Sequence, residues 1–416
     1  MTDLPAAPPL TGRDLLRIPN FLLLVFGRAA VTLALLMQII AIGWQVYAIT
    51  GDPLALGLVG LAGFIPGILF ALVTGQVADR VNRRTIIACC YGLETLTAAF
   101  LLAATLDGLT SVWPIFLAAF ALGTARAFAQ PASQALMPNL VPSSVFSVAV
   151  AWSSSVFQVA VIAGPAVGGL LFAWHQASAV YMASATLLAI GFVMTLFMRL
   201  PAAPIKAKEP VTWSTLVAGF SFMKAQPIVL GAISLDLFAV LFGGATALLP
   251  IFASDILKVG PEGLGALRSA PAVGAAIAAV VLGFRPLKEK VGRTLFIAVA
   301  IFGVATVVFG VSTNLWISLL ALAALGAADE VSVVVRLTLV QIATPDEMRG
   351  RVAAVNTIFI GASNELGEFE SGVAAHFLGP EGAVVFGGIC TLLVTLLWMR
   401  WFPALRRVNT FQDKLS

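Results

Sequence analysis

Four ionisable side chains, Arg28, Arg126, Asp236 and Asp329, stand deep inside long apolar stretches, and their types suit charge pairing and proton exchange. A charge at that depth costs at least ~2.5–3.5 kcal/mol on insertion scales, so each needs a partner or a water-filled cavity. Glu330 adjoins Asp329, and only one of the two can point fully into a cavity. Glu365, Glu368 and Glu370 add a second acidic group, in which Glu365 and Glu368 share a helical face at i, i+3. Their repulsion favours protonation of at least one. Desolvation disfavours a charged carboxylate and a nearby arginine opposes that effect, so alternating protonation and arginine pairing is a physical way to couple a proton to a solute.

Two readings of these charges stay open. Arg28 or Arg126 pairs permanently with Asp236, Asp329 or Glu330 and locks helices together. Alternatively, a pair forms in one access state and breaks when substrate or a proton intervenes. Glu365 and Glu368 are likewise either a proton relay or structural hydrogen-bonding groups. Glu94 is alone in its stretch, where capping or pairing with a loop is expected.

Other chemistry lacks its residues. Cys89, Cys90 and Cys390 lie in apolar stretches without disulfide or zinc-ligand spacing. His175 and His376 sit near stretch ends, far from any metal cluster. No G-x-x-x-x-G-K-[ST] loop and no converging nucleophile and base occur, so an enzyme, a metal and a cofactor are not expected. Trp44, Tyr47, Phe64 and Phe128 with Gln38, Gln45 and Gln130 suit the lining of a cavity for a bulky, partly apolar solute. Packing into core or lipid is the plainer alternative for each.

The elements that carry these residues are membrane spans. Of 416 residues, 60% are hydrophobic and 11% charged, with a mean hydropathy of +1.00. A soluble chain carries about a quarter charged residues. Breaks at polar, Gly and Pro clusters leave spans at 20–47, 54–78, 84–106, 112–135, 144–173, 177–199, 228–253, 262–284, 294–312, 315–341, 350–378 and 382–402. Apolar runs of this length exclude a membrane β-barrel, whose strands alternate over about ten residues. Of the 24 Lys and Arg, 19 fall on the side of the N-terminus, four lie within spans, and only Lys258 falls on the other side. That bias places both termini in the cytoplasm. The net charge of +4 is therefore read as orientation, not as affinity for nucleic acid.

Residues 200–227 form a Pro- and Lys-bearing linker followed by an amphipathic helix, dividing 1–199 from 228–416. The two parts are copies. At an offset of 203, ALGTAR (121–126) meets ALGAAD (324–329), and Gly164 and Gly169 meet Gly367 and Gly372. At an offset of 208, Pro53 meets Pro261, Gly57 meets Gly265 and Gly75 meets Gly283. Parallel six-span repeats follow, related by an axis along the membrane normal. Arg28 maps onto Asp236 and Arg126 onto Asp329, all roughly 12–18 Å from the inner ends of their spans.

The stretch GQVADRVNRR (75–84) resembles the signature loop of the major facilitator superfamily, with Gly75, Asp79, Arg80, Arg83 and Arg84 in register. Asn82 stands where that family has Gly, a change expected to keep left-handed backbone geometry. GPAVGG (164–169) resembles the Gly-Pro-x-x-Gly-Gly element of the superfamily's drug/proton antiporters, where Pro165 bends the helix. WQVYAITGDPLALGLVGL (44–61) and NELGEFESG (364–372) resemble the branch containing the enterobactin exporter and macrolide efflux pumps.

The resemblance implies an all-α polytopic protein of twelve transmembrane helices in two pseudo-symmetric six-helix bundles. It also implies a bacterial inner-membrane location and spans 1, 4, 7 and 10 lining a central cavity. Arg28 and Arg126 would then face Asp236 and Asp329 as opposed ionic walls, with Gln38, Gln130, Trp44 and Phe128 beside them. Asp329, Glu330, Glu365 and Glu368 would carry protons. Asp79, Arg80, Arg83 and Arg84 would gate the cytoplasmic side, Asp79 by meeting the N-terminus of span 11, and Gly164 and Pro165 would act in the same movement. The expected function is proton-coupled export of an amphipathic small molecule, a siderophore or drug-like compound, by a monomer using alternating access. The alternative is proton-coupled import of an anionic nutrient held by Arg28 and Arg126.

Overall fold

The computed structural model describes residues 14–199 and 213–411, and its elements are helical. After a turn at Asp14–Arg17 come α1 (Pro19–Thr50), α2 (Pro53–Arg80), α3 (Arg83–Leu106), α4 (Trp113–Leu136) and α5 (Phe146–Phe197). The linker residues 200–212 lie outside the described residues, and a helix, α6 (Trp213–Ala225), stands where an amphipathic one is expected. α7 (Pro227–Phe242) continues through a turn, α8 (Leu249–Ile251) and a π-helical segment at Phe252–Ile256. Then follow α9 (Gly260–Phe284), α10 (Val291–Val311), α11 (Leu315–Ala343), α12 (Asp346–Trp401) and α13 (Pro403–Arg407).

Among the described residues, ten helical stretches are long and apolar enough to cross a bilayer. Two of them, α5 with 52 residues and α12 with 56, exceed twice the length of one crossing. Each breaks once, at His175–Gln176 and at Gly379, so each supplies two arms and the described residues hold twelve crossings. Gly379 makes its turn with φ 75°, a conformation glycine adopts freely. Trp113, Trp316 and Phe284 are more than 70% exposed, tolerable only where lipid covers them.

Local chemistry sets the helix ends. Proline opens α1, α2, α7 and α9 within the first two positions, where its missing N–H costs nothing. The Asp52 carboxylate accepts from the Leu54 N–H at 2.9 Å and caps α2. Asn82 departs from expectation. Its φ is −57°, so no left-handed geometry is used, and its side chain instead accepts from the Arg84 N–H at 3.0 Å to cap α3.

The repeat seen in sequence recurs as packing. Gly123 of α4 sits so close to Gly63 of α2 that a Cβ would overlap the Gly63 carbonyl; their repeat counterparts, Gly326 of α11 and Pro271 of α9, meet in the same way. Gly164 packs on Leu33 and Leu36 of α1, and its counterpart Gly367 packs on Val240 and Leu241 of α7. Contacts between the halves obey the same symmetry. The first arm of α5 crosses α9 at Gly169, against Pro261 and Gly265, while the first arm of α12 crosses α2 at Gly372, against Pro53 and Gly57. Small residues permit such close backbone approach.

These crossings hold one end of the molecule shut. A Cβ on Gly265 would lie 2.5 Å from the Pro165 carbonyl oxygen, with backbone rather than a flexible side chain in its way. Gly265→Val is therefore expected to wedge that end apart. In a background lacking Cys89, Cys90 and Cys390, a cysteine reporter at Leu56 would label at least ~3-fold faster with an impermeant maleimide from that side. Unchanged labelling would show that the crossing does not keep the end closed.

Candidate functional site

The closed end lies opposite the arginine-rich loops, and polar bonds reinforce its glycine crossings. The Tyr47 hydroxyl donates to Asp255 at 2.5 Å, and His376 Nδ1 lies 3.2 Å from Asp52. Ser269 donates to the Ile162 carbonyl at 2.9 Å and Gln158 to the Ala272 carbonyl at 3.1 Å, so α5 and α9 are tied as well as packed. Toward the arginine-rich end the helices part. Gly67 and Gly75 of α2 and Gly350 and Gly361 of α12 have nothing within 4 Å of where a Cβ would stand.

Between these ends lies a cavity of about 190 Å³. Ile39, Ile42 and Gly43 of α1, Gly60 and Gly63 of α2, Arg126 of α4, Arg268 of α9 and Glu365 and Glu368 of α12 line it, with Pro250 closing one side. Most of the wall is apolar or glycine. Its charges are two arginines and two glutamates. Arg126 Nη1 lies 3.3 Å from Glu365 Oε1, joining the first half to the second. Arg268 Nη2 lies 3.8 Å from Glu368 Oε1, and its Nη1 donates to the Thr246 carbonyl at 3.2 Å. Glu368 also faces Gly60, where a Cβ would come within 2.9 Å of the carboxylate. The wall is thus charge-balanced when all four groups are ionised, and apolar between them.

A second polar group lies inside the later half. Arg336 Nη2 of α11 meets Asp236 Oδ2 of α7 at 3.1 Å, and its Nη1 donates to Asn356 Oδ1 of α12 at 3.2 Å. Magnitudes separate the two kinds of pair. The Arg126 and Glu365 side chains are 56% and 24% exposed, and pairs that water reaches contribute about 0–1 kcal/mol, so this bond yields to a competing ligand more readily than a buried one. The Arg336 and Asp236 side chains are 2% and 8% exposed, and losing one partner of such a pair costs about 3–5 kcal/mol. The first can switch; the second holds the half together.

The opposed walls expected from the repeat do not form as a set of four. Asp236 turns to Arg336, its neighbour one helix away, and not toward Arg28. The Arg28 guanidinium lies 5.0 Å from the Phe157 ring centroid within the first half, a cation–π contact. Asp329 shares with Asp236 a small space that has no wall residue in common with the cavity. What faces Arg126 is α12, through Glu365. Among the expected polar and aromatic lining, Gln38 is 1% exposed with neither amide atom partnered, and Trp44 and Phe128 pack on Phe172 and Phe70. Gln130 is exposed on α4 but off the cavity wall, and Gln45 bonds to Thr105 and Tyr181. Glu330 is half-buried, and Glu94 is buried at 2% exposure with one oxygen unpartnered, in electrostatic reach of Arg126.

Arg268, Arg336 and Asn356 are the residues that pattern reading did not assign. Both arginines are visible inside apolar spans, but neither has a charged repeat counterpart; Gly60 stands where Arg268 has its repeat position. At the open end, Arg84 Nε donates to the Thr195 carbonyl at 3.1 Å and a second nitrogen reaches the Leu196 carbonyl, tying α3 to the end of α5. Arg80 is exposed at the end of α2, Arg83 opens α3, and Asp79 lies in the last turn of α2. Gly164 and Pro165 are buried, the latter with its carbonyl against Gly265.

Comparison with known proteins agrees with this architecture. Residues 14–413 match the family of transmembrane secretion effectors. Macrolide efflux protein A of Streptococcus pyogenes is 22% identical over 358 residues, covering 84% of this chain and 87% of its own. Enterobactin exporter EntS of Escherichia coli is 25% identical over 402 residues, covering 93% and 94%. Among solved structures, nucleoside transporter NupG superposes with a TM-score of 0.71 at 14% identity, over 94% of this chain and 99% of its own. A bacterial homologue of the iron transporter ferroportin, in an inward-facing state, gives 0.70 at 16%, over 93% and 99%. The sequence motifs, the twelve crossings and the whole-length family match lead to one identification: the chain belongs to the transmembrane secretion effectors of the major facilitator superfamily, which are membrane transporters and not enzymes.

Proposed function

We propose that the protein exports an amphipathic small molecule, a siderophore or drug-like compound, in exchange for protons by alternating access. The observation that carries this reading is the charge-lined cavity spanned by the partly exposed Arg126–Glu365 pair, shut at one end and parted at the other. The Lys and Arg bias makes the parted end cytoplasmic, the side from which an exporter loads. The efflux roles of the macrolide and enterobactin relatives support the direction.

The residues divide the work. Arg126 and Arg268 receive acceptor or anionic groups of the solute, Glu365 and Glu368 receive donors or protons, and the apolar wall takes the rest. A solute that breaks Arg126–Glu365 removes a tie between the halves, and protonation of Glu365 does the same. Asp329 in the second half is the main coupling acid, with Glu330 beside it. On closure of the cytoplasmic side, Asp79 meets the N-terminus of α12 near Gly350, while the crossings at Gly169 and Gly372 open.

Reconstitution in liposomes tests the reading. With a catecholate siderophore and a macrolide as probes, an imposed pH gradient is expected to drive solute against the direction of proton flow, and a protonophore to stop it. Movement of solute with the protons would favour the import of an anionic nutrient; movement of neither probe beyond empty liposomes would remove the assigned solute class.

A further inference from the structure

Asp329, Ser332 and Arg336 stand at i, i+3 and i+7 and so share one face of α11, where Arg336 reaches Asp236 of α7. Asp236, Asp329 and Ser332 border a space of about 10 Å³ whose remaining walls are apolar, among them Val240, Val299 and Phe302. A space of that size holds one water-sized particle, too small for an organic solute. Ser332 is 3% exposed and its hydroxyl has no hydrogen-bond partner, although a buried hydroxyl ordinarily finds one. The two carboxylates that border the space, set against the Arg336 guanidinium, leave a residual charge of minus one, and Glu330, half-buried and off its walls, is a third carboxylate within reach. The charged groups in electrostatic reach of Asp329 are Asp236, Arg336 and Glu330, so no second cationic side chain from the described residues cancels it.

We infer that this space is a site for one sodium ion, held by carboxylate oxygens of Asp236 and Asp329 and by the Ser332 hydroxyl. Hard cations take oxygen ligands, and these three side chains supply them. Asp236 gives Oδ2 to Arg336 and keeps Oδ1 for the ion. A monovalent ion neutralises the site, whereas a divalent one leaves an uncompensated positive charge among apolar walls. Quaternary organic cations such as choline exceed that volume. The inference rests on the coupling role given to Asp329 above and extends it, naming sodium as a cation that occupies the coupling site.

Equilibrium binding of radiolabelled sodium to the full chain in nanodiscs, with choline chloride balancing ionic strength at fixed pH, tests it. The expected result is saturable binding of one ion per chain, absent in Asp329→Asn and weakened about 10-fold in Ser332→Ala, which alters only a hydroxyl. An unchanged melting temperature in Ser332→Ala separates ligand loss from misfolding. No saturable binding over choline, or wild-type affinity in both variants, overturns the site. Proton-driven export in sodium-free liposomes keeps the two readings apart. If it persists while sodium fails to bind, the proton assignment stands and the sodium site falls; if sodium binds but Asp329→Asn still exports on a pH gradient, the proton assignment falls.

Discussion

Arg336→Ala lowers the stability of the protein by about 3–5 kcal/mol, the largest single effect expected of any substitution outside the cavity. The guanidinium is 2% exposed and bonds to Asp236 and Asn356, so it joins α11 to both α7 and α12. Its removal leaves the Asp236 carboxylate buried with no cationic side chain beside it, which is where the cost arises. Thermal melting in detergent reads the loss directly. The double variant Asp236→Leu with Arg336→Met removes both charges together and is expected to recover much of the stability. A double variant no more stable than Arg336→Ala would place the cost in lost packing instead.

The second large effect is functional. Asp329→Asn keeps the shape of the side chain and removes its ability to exchange a proton, so net transport driven by a pH gradient falls by at least ~100-fold, the order of loss expected when an acid–base group is removed. Exchange of substrate across the same liposomes persists, because Arg126, Arg268, Glu365 and Glu368, the charges of the main cavity, remain in place. Full gradient-driven transport in Asp329→Asn would remove the residue from the coupling step. Loss of exchange together with gradient-driven transport would make it a structural residue.

The membrane topology was legible in sequence because hydrophobic runs and loop arginines are properties of consecutive residues. The repeat was legible in greater detail. The offsets of 203 and 208 pair Gly169 with Gly372, and Pro53 and Gly57 with Pro261 and Gly265; the structure brings these two sets into contact at the closed end. Matching small residues recur because each half must offer the other a backbone approach that only glycine permits.

The charge partners were less legible. Offsets relate positions between halves but say nothing of which face each helix turns to a neighbour, and Asp236 finds Arg336 in its own half before it finds anything across the cavity. The spacing of Asp329, Ser332 and Arg336 on one face of α11 is a usable signal, but one to which repeat symmetry is blind. Arg268 carried no such sign, because its repeat counterpart is Gly60 and its partner Glu368 has Pro165 as counterpart. The symmetry breaks at the places where the cavity carries charge, and a search for matched residues misses them for that reason. Gln38, Trp44 and Phe128 fail in the opposite sense: polar or aromatic type suggested lining, whereas burial encloses Gln38, and packing sets Trp44 against Phe172 of α5 and Phe128 against Phe70 of α2.

Exchange of charge between the halves gives the most direct test of a transport site spanned by Arg126 and Glu365. Arg126→Glu and Glu365→Arg each place like charges face to face and are expected to lower transport in liposomes at least ~10-fold, while the double variant restores the pair in reversed order and recovers a substantial part of the rate. Single variants that transport like the wild type, or a double variant no better than the worse single, would contradict a site held between the two halves by this pair.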